Sequence, residues 1–340
     1  MNTRVETMVD SLNFEKLSRQ LKKLKDVNWK EKSHAMIRAI LLPTIAIMLF
    51  LVLWNVLAAQ VHTSLGQLPG PTMVWKQTMV LLDEHNAERV KETAFYARQE
   101  KRNAIKLKEN PAAIVKIRGY TGKPTFVDQI GTSILTVTVG FILASILAIP
   151  IGIFCGLSKS VYQATNPLIQ IFKPVSPLAW LPIVTMVVSA VYISDDPAFS
   201  KSFVTSAITV MLCCMWPTII NTTVGVSSID NDLINVSRVL RLNWYTKIFK
   251  IVLPASIPMM FAGLRVSFGI GWMVLIAAEM LAQNPGLGKF VWDEFQNGSS
   301  NSLARIMVAV FAIGLIGFLL DRFMLMLQRS VSWDKTAVIR

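Results

Sequence analysis

Charged residues and cysteines are both scarce in this chain, and their scarcity narrows the classes of protein to which it can belong. Only 16% of the 340 residues are charged and 53% are hydrophobic, a balance that is unusual for a soluble protein. The three cysteines lie within apolar stretches and lack the spacing of a metal site. We interpret them as small apolar core residues; they are Cys155, Cys213 and Cys214.

Motifs for catalysis and for phosphate binding are also missing from the sequence. The nearest string to a P-loop, at 119–125, has its glycines too close together and follows no strand pattern. His34, His62 and His85 are scattered and form no HExxH pair. The net charge of +13 comes without the aromatic residues that usually accompany a basic nucleic-acid platform. We therefore expect no catalytic residue, no metal and no cofactor in this chain, and no nucleic-acid partner.

Long apolar runs are what the sequence has in abundance. A helix needs about 20 apolar residues to cross a bilayer, and six stretches reach that length. Proline is tolerated within a span when neighbouring helices satisfy the freed backbone groups, and the third stretch, with Pro174, Pro177 and Pro182, is expected to be kinked or split. The six predicted spans are Ile37–Ala59, Thr132–Leu157, Pro167–Ile193, Phe203–Val226, Val252–Leu281 and Leu303–Leu327.

Basic residues predict how these spans are oriented. Lys and Arg are enriched in cytoplasmic loops, and residues 1–38 carry nine of them, so both termini are expected in the cytoplasm. Leu17, Leu21 and Leu24 recur at helical spacing among lysines, which is typical of an amphipathic helix in the membrane interface. The first span is expected to be an uncleaved anchor, because no apolar signal core precedes it. The predicted parts are a basic N-terminal segment 1–36, a first transmembrane helix 37–60, an extended periplasmic loop 61–130, a permease-like core 131–328 with a cytoplasmic loop 227–250, and a cytoplasmic tail 329–340.

Two predicted extramembrane segments have recognisable patterns. Residues 82–109 have a polar helical pattern that we expect Pro111 to end. The outer loop 282–302 contains Gly286-Leu287-Gly288 and several aromatics, which suit either an ordinary turn or a segment folded back toward a pore. Asp195 and Asp196 are expected to be solvated at another outer turn.

A short basic helix pattern between two spans, at 230–246, is the most informative feature. Arg238 and Arg241 would be costly in hydrocarbon, so the segment must lie on the membrane surface, where Leu233, Val236, Val239 and Leu240 could dock onto a partner.

Ionisable and polar residues within the spans are the remaining candidates. Arg265 and Glu279 both fall in the fifth span, fourteen residues apart, or about 21 Å along a helix, so they cannot pair with each other. Intramembrane charges are functional candidates by default. Arg265, expected about one turn from the cytoplasmic end, could instead snorkel, and Glu279, near the outer end, could pair with a neighbouring helix. Further candidates for a translocation path are Ser189, Asn221, Thr222 and Ser267.

At this point the residues resemble a known family. The segment 235–254 resembles the cytoplasmic EAA loop of bacterial ABC importer permeases: Asn235-Val236-Ser237 stands where that loop has EAA, Arg241 stands at its glycine, and Ile251-Val252-Leu253-Pro254 matches its ending. Leu68-Pro69-Gly70-Pro71, Ala262-Gly263-Leu264-Arg265 and Ala277-Ala278-Glu279-Met280 resemble other signatures of the same family. Ser176-Pro177-Leu178-Ala179-Trp180-Leu181-Pro182 is most similar to its nitrate branch.

The resemblance implies an all-α integral membrane protein, a type I-like permease with six transmembrane helices, in a bacterial inner membrane. It implies a second permease copy, two ATPase subunits that bind ATP and Mg, and a periplasmic substrate-binding protein. The implied cargo is a small inorganic anion, nitrate or nitrite, with bicarbonate and taurine or alkanesulfonate as alternatives. A secondary transporter or channel is the alternative from another class. The residues implied to couple to the ATPase are Asn235, Val236, Ser237, Arg238, Leu240, Arg241, Leu242 and Asn243.

Overall fold

The computed structural model describes residues 29–63, 66–110, 115, 117–193, 198–299 and 301–331. The chain divides into two compact units, Met1–Pro71 and Thr72–Arg340. The predicted interfacial helix around Leu17, Leu21 and Leu24 lies outside the described residues. So do Asp195, Asp196 and the tail beyond residue 331.

The first unit contains one long helix and a small hairpin. Helix α1, Trp29–Gln60, carries Pro43 in its interior and begins eight residues before the predicted span. No proline or glycine separates Trp29 from Ile37, so nothing in the sequence stops the helix at the end of the apolar run. Strands β1, His62–Thr63, and β2, Gly66–Gln67, pair antiparallel after it.

The second unit is helical throughout its regular elements. Helix α2 is much longer than the predicted 82–109, because the helix begins directly at Pro71, a residue favoured at a first helical position. The elements of this unit are α2 Pro71–Glu109, α3 Phe126–Leu157, α4 Lys159–Phe172, α5 Pro177–Val191, α6 Lys201–Ser227, α7 Asn231–Val239, α8 Trp244–Lys247, a π-helical turn Ile248–Val252, α9 Leu253–Ala282, α10 Leu287–Asn297 and α11 Ser302–Val331.

Local signals set the start of α3 and the break in the third predicted span. Thr125 and Asp128 form a reciprocal capping box, which starts α3 six residues before the predicted Thr132. Helices α4 and α5 are bent by 100° relative to each other. Pro174 and Pro177 lie at this break, as expected for residues that cannot continue the hydrogen-bond ladder.

A row of small residues on α3 forms its contact with α6. Gly140, Ala144, Ala148, Gly152 and Gly156 recur every four residues, and so lie on one helix face. A methyl group added at Gly140 would meet α6 near 207–210, one at Gly152 near 219–222, and one at Gly156 near 223–226. The two helices therefore run parallel, and small residues allow their backbones to approach closely.

Helix α9 packs against the other side of α6. Gly271 lies against Cys214, and Gly263 lies against Asn221, so α9 runs antiparallel to α6. Because α3 and α6 are parallel, the bent pair α4–α5 must carry the chain back across the bundle between them. Among the described residues, five helices are long and apolar enough to cross a membrane, and the bent pair adds a sixth when it is counted as one broken span.

These directions define the two ends of the bundle in the second unit. The "α7 end" is where α3 and α6 finish and α9 begins, and it carries α7 and α8. The "α10 end" is where α3 begins and α9 finishes, and it carries α10. The predicted loop 282–302 is thus largely a helix, because Gly286 and Gly298 bound an eleven-residue amphipathic stretch that packs on α9 and α11.

Candidate functional site: the coupling segment and the buried polar contacts of the bundle

The predicted coupling helix is in fact two short helices joined by a turn. Asp230 caps α7 through a hydrogen bond from the Asp232 amide to its carboxylate, 3.0 Å. Asn243 caps α8 by accepting a hydrogen bond from the Thr246 amide, also at 3.0 Å. The prediction of a single helix over 230–246 is therefore wrong, because Asn243, a helix-capping residue inside that range, starts a second helix.

The turn between α7 and α8 is a Schellman motif with an arginine in its strained position. The Leu242 amide donates to the Ser237 carbonyl and the Arg241 amide donates to the Arg238 carbonyl, both at 3.0 Å. This is the paired pattern that closes many helix ends, and its left-handed residue is usually glycine. Here that residue is Arg241, with φ of 47°, at the position where the EAA loop has its glycine.

The apolar side chains of α7 are exposed. Val236 is 50%, Leu240 63% and Val239 81% exposed, and Leu233 is exposed beside them. Ser237 is instead buried, and its hydroxyl donates to the Ile234 carbonyl. The exposed residues form an apolar ridge at the α7 end, next to Asn235, Arg238, Arg241, Leu242 and Asn243.

The coupling segment is fastened to the bundle by an apolar cluster. Ile248 and Val252 of the π-helical turn pack with Ile153 of α3 and Val226 of α6. Because the turn continues directly into α9, the segment contacts all three central helices. A displacement of α7 and α8 would therefore move their contacts with α3, α6 and α9 together.

Arg265 lies in the middle of α9 and forms an ion pair with α11. It is twelve residues from the start of the helix, or about 18 Å, so the expected position one turn from the end is wrong. Its Nε and Nη2 donate to the two carboxylate oxygens of Asp321, at 2.6 and 2.9 Å. This bidentate geometry is the strongest form of an arginine–carboxylate contact, and it joins α9 to α11.

Glu279 is fully buried at the α10 end and is held by hydrogen bonds. Its carboxylate accepts the Ser133 hydroxyl of α3, at 2.8 and 2.9 Å, and the Gly288 amide in the first turn of α10, at 3.1 Å. Ser133 also accepts the Leu287 amide at 2.9 Å. Glu279 and Ser133 therefore each accept one of the amides that helix α10 leaves free at its start, and together they tie α3, α9 and α10 to one another.

The polar candidates for a translocation path occupy different surroundings. Ser267 is buried against α6, where its hydroxyl donates to the Cys214 carbonyl. Thr222 is buried where Gly152 of α3 approaches it, and Asn221 donates to the Pro217 carbonyl of its own helix. Ser189 is exposed on α5. The structure does not bring these four together, and three of them, Asn221, Thr222 and Ser267, lie in helix–helix contacts.

Helix α2 is attached to the α10 end by charged contacts. Arg305 of α11 pairs with Glu84 of α2 and with Glu294 of α10. Arg89 of α2 pairs with Asp128 of α3 at 3.0 Å. These contacts give the predicted extended loop a defined place at this end of the bundle.

The stretch after α2 folds back onto it. The Tyr120 hydroxyl donates to Glu88 at 2.6 Å. This hydrogen bond, with a second from Lys91, lowers the pKa of the Glu88 carboxyl, and the same contact raises the pKa of the Tyr120 hydroxyl. The segment that precedes α3 is thus held against α2 by a charge-assisted hydrogen bond.

Asp321 and Arg305 are the important residues that sequence reasoning missed. Both lie in the sixth predicted span, Leu303–Leu327, and both are charged. The default rule that an intramembrane charge needs a partner applies to them as much as to Arg265. Asp321, an acidic residue in the sixth predicted span, could therefore have been predicted from the sequence as a candidate partner of Arg265.

An apolar helical bundle with an exposed surface helix between α6 and α9 is the organisation expected of a membrane transport permease. A family model described as "Binding-protein-dependent transport system inner membrane component" matches residues 148–333. The match covers more than half of the chain, and the chain belongs to this family.

Sequence relatives narrow the comparison further. The nitrate import permease protein NrtB of Synechocystis sp. is 34% identical over 289 residues, which cover 85% of this chain and 88% of the relative. The bicarbonate transport system permease protein CmpB of Synechococcus elongatus is 32% identical over 304 residues, which cover 89% and 92%. The chain is thus a multi-pass inner-membrane ABC importer permease of the nitrate, bicarbonate and sulfonate type.

A solved structure shows the same fold. An inward-facing conformation of the MetNI methionine ABC transporter contains a chain that matches with a TM-score of 0.53 at 12% identity. The match covers 61% of this chain and 96% of that one. The expected ABC permease fold, all-α and embedded in the membrane, is confirmed.

Proposed function

We propose that this chain is the permease subunit of an ATP-driven importer of nitrate or nitrite. The observation that carries the proposal is the exposed apolar ridge of Val236, Val239 and Leu240 on a surface helix fastened to three membrane helices. An apolar ridge of this kind is suited to a protein partner. The 34% identity to a nitrate import permease supports the choice of anion.

The proposed mechanism is alternating access driven from outside the chain. ATP and Mg are bound by two partner ATPase subunits, and this subunit catalyses no reaction. Closure of the ATPases presses on α7 and α8, and the cluster of Ile248, Val252, Ile153 and Val226 passes that displacement to the central helices. Such a bundle has two arrangements, and contacts that differ between them shift the population.

We further propose an assembly with the α7 end in the cytoplasm. Basic residues mark the cytoplasmic side of a membrane protein, and Lys159, Arg238, Lys247 and Lys250 all lie at the α7 end. Both termini are then cytoplasmic. A second permease copy completes the path, and a periplasmic binding protein delivers the anion at the α10 end.

Selectivity is proposed to reside mainly in the binding protein. In the fifth span, the cation that could attract an anion, Arg265, is already neutralised by Asp321. A weakly binding path suits an anion that must pass through and leave. Under this proposal, importers of bicarbonate or sulfonates differ from a nitrate importer mainly in the binding protein that delivers the anion. Similar permeases are named for each of these anions, including the putative aliphatic sulfonates transport permease protein SsuC of Bacillus subtilis at 30% identity.

Reconstituted uptake tests the proposal. The permease, its ATPase and its binding protein would be placed in liposomes, and entry of labelled nitrate would be measured with and without internal ATP. We expect ATP-dependent uptake that excess nitrite reduces and that excess bicarbonate or taurine leaves unchanged. The control is an ATPase variant that cannot hydrolyse ATP, which should abolish uptake.

Two outcomes would contradict the proposal in different ways. Competition by bicarbonate or taurine instead of nitrite would reassign the anion while keeping the class. Uptake that persists without any ATPase would instead indicate a secondary transporter or channel.

A further inference from the structure

A large cavity opens at the α7 end of the bundle, and the functions assigned above do not use it. Its volume is about 700 Å³, and it lies between α4, the final turns of α3 and α6, and the coupling segment. Lys159, the first residue of α4, lines it together with Arg238 of α7 and Lys247 of α8. Lys173, which follows the last residue of α4, lines the cavity about 21 Å from Lys159. None of the described residues that line this cavity is acidic.

The cations around this cavity have no carboxylate partner in the part of the chain that the structure describes. The ion pairs found there involve other cations, and none includes Lys159, Lys173 or Lys247. Arg238 contacts only the side-chain amide oxygen of Asn235, at 3.4 Å. Like charges gathered around one cavity repel each other, and an anion between them removes that repulsion.

The other walls of the cavity are apolar or uncharged. Ile169, Ile220 and Val224 supply apolar wall, and Tyr162 and Asn166 of α4 offer a hydroxyl and an amide. Pockets of about 300–1,000 Å³ typically hold ligands of drug size, so one inorganic anion would occupy only a small part of this cavity. The combination of a cationic rim and apolar walls suits an anion that carries a hydrocarbon chain.

We propose that this cavity binds the phosphate headgroup of an anionic phospholipid. Basic pockets between transmembrane helices on the cytoplasmic side are a general form of anionic headgroup site. The proposal rests on the orientation given under Proposed function, which places the α7 end at the inner leaflet. The phosphate lies among Lys159, Arg238 and Lys247 at the end of the cavity where α4 begins, and an acyl chain lies along the apolar wall near Ile169.

The position of the cavity gives the lipid a consequence for coupling. One wall belongs to α4, and another belongs to the α7 and α8 segment. A lipid bound between them links the coupling segment to a helix that it otherwise contacts little. The lipid therefore stabilises the arrangement of the coupling segment seen here.

Lipid binding to the full-length purified permease tests this proposal without requiring transport. Native mass spectrometry in neutral detergent would count bound lipids after addition of phosphatidylglycerol, of phosphatidylcholine, or of inorganic phosphate. The test variant is Lys159→Gln, which leaves the coupling segment intact. The matched control is Lys108→Gln, which removes one exposed lysine near the end of α2.

We expect the wild type and the α2 control to retain phosphatidylglycerol in preference to phosphatidylcholine. The Lys159→Gln variant should bind it about fivefold more weakly, because one basic residue near an anionic lipid surface contributes about that factor. Thermal stabilisation by phosphatidylglycerol should fall in the same variant and persist in the control.

Three results would overturn the proposal. One is equal phosphatidylglycerol binding by the variant and the wild type. A second is an equal loss in the α2 control, which would show only a general surface-charge effect. The third is stabilisation by inorganic phosphate as large as that by phosphatidylglycerol, which would assign the cavity to a free anion. Because no transport is measured, failure of nitrate uptake would leave these readings unchanged.

Discussion

Glu279 is the residue whose environment is most completely defined. A carboxylate has only acceptor oxygens, and at this site it faces three donors: the Ser133 hydroxyl, the Gly288 amide and, at 3.5 Å, the Asn284 side-chain amide. We expect Glu279→Gln to destabilise the protein by about 1–3 kcal/mol, because the new amide turns one acceptor into a donor that faces another donor. Thermal unfolding and the yield of assembled complex would measure the loss.

A surface carboxylate provides the control for that experiment. Asp293→Asn removes an exposed partner of Lys289 and should leave stability nearly unchanged. Uptake per assembled complex should remain near normal in Glu279→Gln. Normal stability together with reduced uptake per complex would place Glu279 in the translocation path instead.

The pair of Arg265 and Asp321 can be tested by removing one partner or both. Arg265→Leu leaves the Asp321 carboxylate unpaired among apolar helices, and we expect it to cost up to about 3 kcal/mol, since the pair is only half-buried. Arg265→Leu/Asp321→Leu should recover most of the stability, because replacing both charges removes the unpaired group. Folded yield and unfolding temperature in detergent would be compared.

Transport separates a structural pair from a functional one. If the pair serves only to join α9 to α11, the double variant should also recover uptake. A double variant that folds normally and transports nothing would show that the charges act in the transport cycle.

At this scale the sequence predicted which residues were unusual but not what they contact. Arg265 and Glu279 stand out because charged residues are rare in apolar runs, and such residues can be recognised from the sequence alone. Their partners, Asp321 and Ser133, are 56 and 146 residues away, and nothing in the periodicity of one helix specifies its neighbour. Ser133 is moreover an ordinary residue by composition.

At the scale of elements, Arg241 shows how a helix end tolerates strain. Its φ of 47° is reached easily by glycine, whereas other residues pay about 1 kcal/mol or more for the left-handed conformation. We expect Arg241→Gly to leave the α7–α8 turn intact or slightly more stable, measured by thermal unfolding of the purified permease.

The opposite charge at the same position tests the partner. Arg241→Glu should leave the fold intact but weaken co-purification with the ATPase, because a surface charge facing a partner affects association more than folding. Arg241→Gly separates loss of the cation from reversal of charge. Full co-purification and full ATPase stimulation with Arg241→Glu would count against a role for this position in coupling.

The parallel contact of α3 and α6 depends on glycines. A methyl group at Gly152 would lie 2.6 Å from the Thr222 Cβ, which forces the helices apart. We expect Gly152→Ala to destabilise by about 1–3 kcal/mol. Gly131, on the same helix, has open space around it, so Gly131→Ala should be neutral or stabilising, and equal effects at the two positions would refute the close contact.

Apolar run length predicted the bounds of α6, α9 and α11 to within four residues, but it missed the start of α1, which lies eight residues before the apolar run. The crossings and the proline break followed from run length and from Pro174 and Pro177. Helix α10 was not predicted, because eleven residues between two glycines resemble a loop when their packing partners are unknown. The split of the coupling segment depended on Asn243, one capping residue within an otherwise continuous helical pattern.

At the scale of the whole molecule, orientation is the property most open to direct measurement. Single cysteines placed in 82–110 and in 230–246, in a background without Cys155, Cys213 and Cys214, would be labelled in intact cells with a membrane-impermeant reagent. We expect labelling at 82–110 only, because the α10 end faces the periplasm and the α7 end the cytoplasm. Labelling of both ranges from the same side would contradict the proposed orientation.

The interior position of α6 has a consequence for how the protein is made. This helix packs on α3 along one side and on α9 along the other, and its buried face includes Thr205, Ser206 and Thr209. Threonine and serine are acceptable against protein but less favourable than leucine against lipid. When α6 is synthesised, α9 does not yet exist, so the face of α6 that later packs on α9 has no protein neighbour at that stage. Biogenesis therefore depends on α6 being retained near α3 until α9 arrives, and variants that weaken the α3 contact should be degraded during synthesis as well as unfold after it.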